Sequence, residues 1–304
     1  MDRTTAPITF SGQYKELLPH QSTSVRSLCL ALLLGWTAVV CGQRPALSAP
    51  QSLRSDIAVR HIMDTFTAAA APSVRIAKDP RDDTLYYLKM NGEIFRVNLA
   101  TATSTRVYSV QNHRVSRTHG LAIGPDGTMY LVGNADLANG QQTRATIMKG
   151  VLNATSGQRV WSILAQSAGY PKSKTAYDHR FNGIVASPSG DFIYVNSGSR
   201  TDHGEIQSAS GLFPNTREVG LTACILRLPT NGRNLLLPNS RTALRTAGYL
   251  FAEGTRNTFD MAFAPNGDLF GTENGPDRDM SEHAFRTLFP GSMRGFRSAL
   301  LRPT

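Results

Sequence analysis

A histidine beside a carboxylate is the first feature of this sequence that could do chemistry. Asp178 and His179 lie in the segment YDHRFNG, just before an apolar run that opens at Ile184. An unperturbed imidazole has a pKa of about 6.5, so it can be neutral at working pH and act as a general base. A neighbouring carboxylate can orient a bound hydroxyl. A surface or capping role for the histidine is the alternative.

A second polar group follows further along the chain. Arg256 and Asn257 precede two short apolar stretches joined by a Pro-x-Gly turn, and the segment ENGPDRD follows at 273–279. Oxygen-rich segments suit a hard cation such as Ca²⁺, which binds carboxylates and main-chain carbonyls. Gly275 allows close backbone approach to a ligand, and Pro276 restrains the backbone next to it. Loops of this composition also occur without ions, so both interpretations stay open.

An internal repeat predicts the elements that position these residues. Each copy has a short apolar strand, a Pro-x-Gly turn, a second apolar strand and a polar loop. The copies are HGLAIGPDGTMYLVGNAD (119–136), NGIVASPSGDFIYVNSGS (182–199), FDMAFAPNGDLFGTENGP (259–276) and a looser version at 76–95. Proline presets φ in such turns, and glycine accepts the positive φ that reverses the chain.

The length of the repeat favours a β-propeller. The turn prolines Pro80, Pro125, Pro188 and Pro265 are 45, 63 and 77 residues apart, which is typical of blades that contain several short strands. The strands mix large apolar and small residues, which suits sheets covered on both faces. We therefore predict an all-β propeller with about four readable blade units, with a β-sandwich as the alternative. The segments 201–218 and 229–249 are interpreted as long connections on one rim.

The two polar groups together resemble a known family. Asp178-His179 ahead of a strand, and Arg256-Asn257 followed across a hairpin by Glu273-Asn274-Gly275-Pro276, are similar to motifs of the soluble PQQ-dependent glucose/sorbosone dehydrogenases. The resemblance is strongest over 178–282 and extends from about residue 75 through the repeat. It implies a six-bladed propeller that holds pyrroloquinoline quinone (PQQ) and Ca²⁺ at one end of its axis.

The resemblance also implies a role for each matching residue. His179 would take the proton from the C1 hydroxyl of an aldose or sorbosone, and Asp178 would orient the sugar. Arg256 would lie against the quinone, with Asn257 beside it, and the carbonyls of Gly275 and Pro276 would hold Ca²⁺. Hydride would pass to the quinone, and electrons would then pass to an external acceptor. The alternatives are a non-redox propeller, either a Ca²⁺-dependent lactonase-like hydrolase or a carbohydrate-binding module, and an inactive remnant.

The resemblance ends after Glu282. The family continues there with further blades, whereas residues 284–304 contain arginine and no acidic residue. The sequence therefore predicts an incomplete propeller, truncated after the Glu-Asn-Gly-Pro motif. We divide the chain into a leader (1–49), a propeller domain (50–282) and a divergent tail (283–304).

The N-terminal region indicates export. Residues 27–42 form a 16-residue apolar run behind Arg26, which is short of the roughly 20 residues of a membrane span and typical of a signal peptide. Cleavage is expected after Gly42 or Ala49, which places the mature chain in the periplasm or outside the cell. A lipid anchor at Cys41 is the weaker alternative because Val40 is bulky, and a buried helix is another. Only Cys224 would remain, so no internal disulfide is expected.

The distribution of the basic residues argues against nucleic acid as a partner. The formal net charge is +10, with 32 Lys and Arg against 22 Asp and Glu. The basic residues are scattered, whereas a nucleic-acid groove needs a basic stripe. A solvated basic surface remains, which is compatible with anionic small ligands. The expected partners are a sugar and an electron acceptor.

Overall fold

A computed structural model describes residues 51–66 and 70–276, and the backbone of 297–301. The predicted signal peptide, Cys41 and the acidic segment 277–282 lie outside the described residues. The chain divides into two compact units, Met1–His61 and Ile62–Thr304. The described part of the first unit forms no helix or strand, and its Arg54 and Asp56 side chains form an exposed ion pair.

Nearly all regular structure in the second unit is β-strand, with two short α-helices and one 3-10 turn among the described residues. The elements are β1 (Ser73–Lys78), β2 (Leu85–Lys89), β3 (Ile94–Asn98), β4 (Thr103–Tyr108), α1 (Val110–His113), β5 (Thr118–Ile123), β6 (Met129–Leu137), a 3-10 turn (Ala138–Gly140), β7 (Gln142–Leu152), β8 (Arg159–Ser167), β9 (Tyr170–Pro171), β10 (Phe181–Ala186), β11 (Phe192–Ser197), β12 (Cys224–Pro229), β13 (Leu235–Leu237), α2 (Arg241–Thr246), β14 (Leu250–Glu253), β15 (Thr258–Phe263), β16 (Leu269–Glu273) and β17 (Arg297–Leu301).

These strands form four sheets, which we call blades 1 to 4. Blade 1 has the strand order β1-β2-β3-β4, and blade 3 has the order β10-β11-β12-β14. Blade 2 contains β5-β6-β7-β8, with β9 beside β7, and blade 4 contains β15-β16-β17. Each pairing is antiparallel except that of β13, which runs parallel to β8. Because β13 lies between β12 and β14 in the chain, blade 3 contributes one strand to the outer edge of blade 2.

The Pro-x-Gly turns join the first two strands of blades 2, 3 and 4, as the repeat predicts. Gly127, Gly190 and Gly267 have φ of 78°, 79° and 87°, a region that side chains other than glycine rarely adopt. In the looser repeat of blade 1, Asp83 takes the equivalent position with φ of 59°. The turns therefore form where the local sequence allows the chain to reverse.

Alternate residues of the strands pack on opposite faces of each blade. Leu131 joins the core between blades 1 and 2, whereas its neighbours Tyr130 and Val132 join the core between blades 2 and 3. Tyr194 likewise contributes to the core between blades 3 and 4, while Ile193 faces blade 2. Side chains alternate across a strand, so a sheet with apolar residues at both parities must be covered on both faces.

The four blades are arranged around their first strands. β1 contacts β5, β5 contacts β10, and β10 contacts β15. Three separate cores between four successive sheets are a propeller arrangement, whereas a sandwich has one core between two sheets. The predicted all-β, propeller-like fold with four blade units is confirmed, and the β-sandwich alternative is wrong.

The connection at 229–249 is more regular than its sequence indicates. It contains β13 and helix α2, and the Ser240 side chain accepts a hydrogen bond of 3.3 Å from the amide of Ala243 at the helix N-terminus. Residues 297–301, within the C-terminal segment, pair through β17 with β16. Neither α-helix of the described chain has the length that a membrane span requires.

Candidate functional site

One end of the first strands encloses a small polar cavity. Its volume is about 220 Å³. The second residues of β5, β10 and β15, which are His119, Asn182 and Phe259, lie in its wall. The remaining lining residues are Asp178, His179, Arg180 and Asn257. Three blades and the segment before β10 therefore meet at this cavity.

The His179 ring is held by the strand end of the same blade. Its Nδ1 lies 3.2 Å from the carbonyl oxygen of Ser199, and its backbone amide donates to the same oxygen at 2.9 Å. A carbonyl only accepts hydrogen bonds, so Nδ1 carries the proton in the neutral ring and Nε2 is the basic nitrogen. This tautomer is the one that a general base uses.

Ser199 also connects the His179 segment to the Arg256 segment. The Ser199 amide donates to the carbonyl of Arg256 at 2.6 Å. Gly198 makes this approach possible, since a Cβ at that position would lie 2.4 Å from the Cβ of His179 and 3.2 Å from the Arg256 carbonyl oxygen. The two sequence groups, distant in the chain, thus converge on one strand end.

The Arg256 guanidinium is buried and bonded to the rim loops. Its Nη2 donates to Oδ1 of Asp202 at 2.8 Å, its Nε donates to the Asp202 carbonyl at 2.9 Å, and its Nη1 donates to the Asn274 carbonyl at 3.2 Å. Arg256 is 2% exposed and does not line the cavity. It therefore holds the loop at Asp202 against the segment that leads to Gly275.

Asn257 lines the cavity, and its side chain belongs to a network of hydrogen-bonded, buried amide groups. The Asn196 amide donates to Oδ1 of Asn182 at 2.8 Å, and the Asn182 amide donates to Oδ1 of Asn257 at 2.6 Å. Each donor has a defined acceptor, so the orientation of all three side chains is set by one network. This network joins blades 3 and 4 at the cavity wall.

Asp178 lines the cavity and also closes its own loop. Its two carboxylate oxygens accept from the backbone amides of Ser173 at 2.6 Å and Lys174 at 2.8 Å. Two such bonds restrain the carboxylate, so Asp178 fixes the loop that carries His179.

Glu273, the last residue of β16, bonds the residues at the start of β15. Its carboxylate accepts from the amides of Arg256 at 2.5 Å and Asn257 at 2.9 Å, and from the Thr258 hydroxyl at 2.6 Å. Burial raises the pKa of Glu273, although these hydrogen bonds act in the opposite direction. Gly275 and Pro276, the last residues of this described stretch, are half-buried and do not line the cavity.

The cavity has a cationic wall. Arg180 pairs through Nη2 with Asp136 at 3.0 Å, while its Nη1 is buried without a hydrogen-bond partner. Burial, and then the nearby Arg180 and Arg75, lower the pKa of His119. Asn134 Nδ2 lies 3.0 Å from the Phe181 carbonyl and 3.2 Å from Nδ1 of His119, so the neutral His119 ring accepts at Nδ1. The imidazole is thus kept neutral beside a guanidinium.

Of the residues that line the cavity, the sequence predicted Asp178, His179 and Asn257 as site residues. It did not single out His119, Arg180, Asn182 and Phe259. The repeat contained a signal for three of them. His119, Asn182 and Phe259 each stand six positions before a turn proline, which places them at equivalent positions of three blades. Equivalent positions on neighbouring first strands meet near the axis of a propeller, so the repeat register indicates a shared site.

The loop that holds Asp202 depends on a second carboxylate. Glu205 accepts from the amides of Asp202 at 3.1 Å and His203 at 2.8 Å, and from the side chain of Gln207 at 2.7 Å. Burial alone would raise the pKa of Glu205, but these hydrogen bonds outweigh it and lower the pKa to about 2.

We expect this loop to give the protein an acid-sensitive component of stability. Because the folded pKa of Glu205 is depressed, its contribution is present above the unfolded pKa of about 4.3 and is lost as the pH falls towards 2. Glu205→Gln should therefore lower the free energy of unfolding at pH 7. The variant should also show a smaller difference in the free energy of unfolding between pH 7 and pH 3 than the wild type. Urea unfolding at both pH values measures this. Asp191→Asn serves as the control, and an equal pH dependence in wild type and Glu205→Gln would contradict the prediction.

The described residues contain no group of three or more His, Cys, Asp or Glu side chains that could hold a metal ion. Main-chain carbonyls, such as those of Gly275 and Pro276, are also suitable ligands for Ca²⁺.

No family model and no curated protein matches the sequence. Among solved structures, the chain is similar to the apo form of the soluble aldose sugar dehydrogenase from Escherichia coli, with a TM-score of 0.46 and 15% sequence identity. The match covers 68% of this chain and 58% of that one. The chain therefore spans less than two thirds of the length of this similar protein.

Proposed function

We propose that the protein oxidises a sugar at its C1 hydroxyl with PQQ as cofactor, and that His179 is the general base. The observation that carries this proposal is the His179 tautomer. With Nδ1 bonded to the Ser199 carbonyl, Nε2 is the nitrogen that can take a proton, and the ring lines a cavity. Proton removal by a positioned imidazole is the step that alcohol oxidation by hydride transfer requires of the protein.

The cavity side chains suit an anionic, polar cofactor. PQQ carries three carboxylates, and the unpartnered Nη1 of Arg180 is a donor for one of them. The Asn182 and Asn257 amides and the neutral His119 add polar groups to the same wall. When bound, PQQ would supply the hydride acceptor, and the side chains would hold the sugar hydroxyl near Nε2 of His179.

The proposal also includes a metal site, formed by residues that do not line the cavity. Gly275 and Pro276 would offer their carbonyls to Ca²⁺, as the sequence resemblance implies. Arg256 would position them, because its guanidinium bonds the neighbouring Asn274 carbonyl. In this arrangement the Arg256 guanidinium would hold the segment that contains Gly275 and Pro276, and the Asp178 carboxylate would hold the loop that carries His179.

Export is part of the same proposal. The apolar run at 27–42 would direct the chain out of the cytoplasm, and residues 50–282 would form the enzyme domain. A periplasmic or extracellular enzyme would meet free sugars and would pass its electrons to an external acceptor.

Reconstitution of the full chain tests the function. Purified protein is mixed with PQQ and Ca²⁺, and we expect bound quinone absorbance that bleaches when glucose or sorbosone is added. Arg180→Gln should weaken PQQ binding about tenfold or more, because it removes a charged donor, whereas Arg227→Gln in blade 3 should leave binding unchanged. Hydrolysis of a lactone with Ca²⁺ and no quinone would instead favour the hydrolase alternative. Absence of quinone binding would overturn the proposal.

A further inference from the structure

A second cavity lies on the side of blade 2 that is turned towards blade 1, apart from the cavity that contains His179. Its volume is about 340 Å³. The connection at 114–116 forms one wall, and β6, β7 and β8 form the other. Asn134 is among the lining residues, but its side chain lies on the other face of blade 2, where its amide nitrogen bonds His119. The two cavities therefore have no lining residue in common.

Blade 2 contributes polar side chains to this cavity from one face of its sheet. Arg144, Thr146 and Met148 are alternate residues of β7, so they lie on the same side of the strand. Thr146 pairs with Gln166 across the sheet, and the Gln166 amide donates to the Thr146 hydroxyl at 3.1 Å. The opposite face belongs to the core between blades 2 and 3, so this polar face is turned towards blade 1.

Two buried polar atoms of this wall have no hydrogen-bond partner. They are Nε of Arg144 and Nε1 of Trp161. Buried polar groups in folded proteins are almost always paired. Two unpartnered donors at a single cavity indicate a ligand that offers acceptor groups.

The charged side chains of this cavity are both cationic, which favours an anionic ligand. Arg114 and Arg144 are the charged side chains among its lining residues, and neither forms an ion pair within the described chain. An unpaired guanidinium binds carboxylates and phosphates through charge-assisted hydrogen bonds.

The aromatic part of the cavity suits a sugar ring. The indole of Trp161 is held by edge contacts to Tyr108, at 5.6 Å between ring centroids, and to His113, at 5.3 Å. Thr146 lines the same cavity, and its hydroxyl accepts from the Gln166 amide. A fixed aromatic ring surrounded by hydroxyl and amide groups can contact the apolar face of a sugar while the polar groups bond its hydroxyls.

We infer that this cavity binds an acidic monosaccharide of the uronate type. The carboxylate accepts from Arg144 and from the Trp161 indole N–H, and a ring hydroxyl bonds the Thr146 hydroxyl. This inference does not depend on the proposed oxidation, because it requires neither a cofactor nor turnover.

Tryptophan fluorescence tests the inference directly. The sequence has two tryptophans, Trp36 and Trp161, so the full chain carrying Trp36→Phe emits from Trp161 alone. Titration with glucuronate should give a saturable change in emission, while glucose, which lacks the carboxylate, should not. Arg144→Gln should weaken glucuronate binding about tenfold or more. Arg233→Gln, at an exposed turn, is the matched control and should bind as tightly as the parent.

Three results of the ligand titrations would overturn the inference. These are the absence of a saturable response to glucuronate, an equal response to glucose, and saturation by inorganic phosphate at the same concentrations. Thr146→Val is a second variant that removes a hydroxyl without removing charge, and it should weaken glucuronate binding while near-ultraviolet circular dichroism stays native. Unchanged binding in both Arg144→Gln and Thr146→Val would assign the response to another site.

Discussion

His179→Asn is expected to lower the rate of sugar-driven quinone reduction by about 10²–10⁴-fold. The Asn amide can still donate to the Ser199 carbonyl, as Nδ1 of His179 does at 3.2 Å, but it offers no basic nitrogen. Binding of PQQ should change little, because the cationic group of the cavity wall is Arg180. Stopped-flow bleaching of the bound quinone measures the rate, and its absorbance before sugar is added measures binding.

A matched histidine and a rescue experiment separate base catalysis from structural damage. His203 lies on a rim loop and is absent from the cavity lining, so His203→Asn should keep the parental rate. In His179→Ala, added imidazole should restore part of the activity in proportion to its unprotonated fraction. A His179→Asn variant with the parental rate would show that His179 is not the base.

Asp202→Ala is expected to destabilise the protein by about 3–5 kcal/mol. Asp202 is fully buried and Arg256 is 2% exposed, so the variant removes a carboxylate that accepts from a buried guanidinium at 2.8 Å. The guanidinium loses this Coulombic attraction but does not regain its hydration. The free energy of unfolding from urea titrations, followed by far-ultraviolet circular dichroism, measures this loss.

An exposed ion pair provides the control for that experiment. Lys78 and Asp83 lie 2.7 Å apart with side chains 58% and 77% exposed, so Lys78→Ala should cost at most about 1 kcal/mol. The double variant Asp202→Leu, Arg256→Met should recover part of the stability lost in Asp202→Ala, because it removes the buried guanidinium charge as well. A loss below 1 kcal/mol in Asp202→Ala would mean that water reaches the guanidinium and that the pair is not a buried one.

The strands, turns and blade stacking were predictable because they depend on local patterns. A proline followed two residues later by glycine determines where the chain can reverse, and apolar residues at both parities require a sheet with two covered faces. Sequence near each turn is sufficient for both conclusions. Residues 229–249 were the exception: their short LLL stretch forms β13 only because the edge of β8, in the preceding blade, is there to pair with it.

The candidate site was predictable in part. The sequence by itself determined the Asp178-His179 and Arg256-Asn257 segments and the repeat that carries them to one end of the blades. The tertiary structure alone decided which atoms meet. His179 takes its tautomer from Ser199, and Arg256 is bonded by Asp202 from a loop that has no pattern in the sequence. The physical reason is range: turn and strand preferences act between near neighbours, whereas hydrogen bonds and ion pairs of the site join residues many positions apart, brought together only by the stacking of the blades.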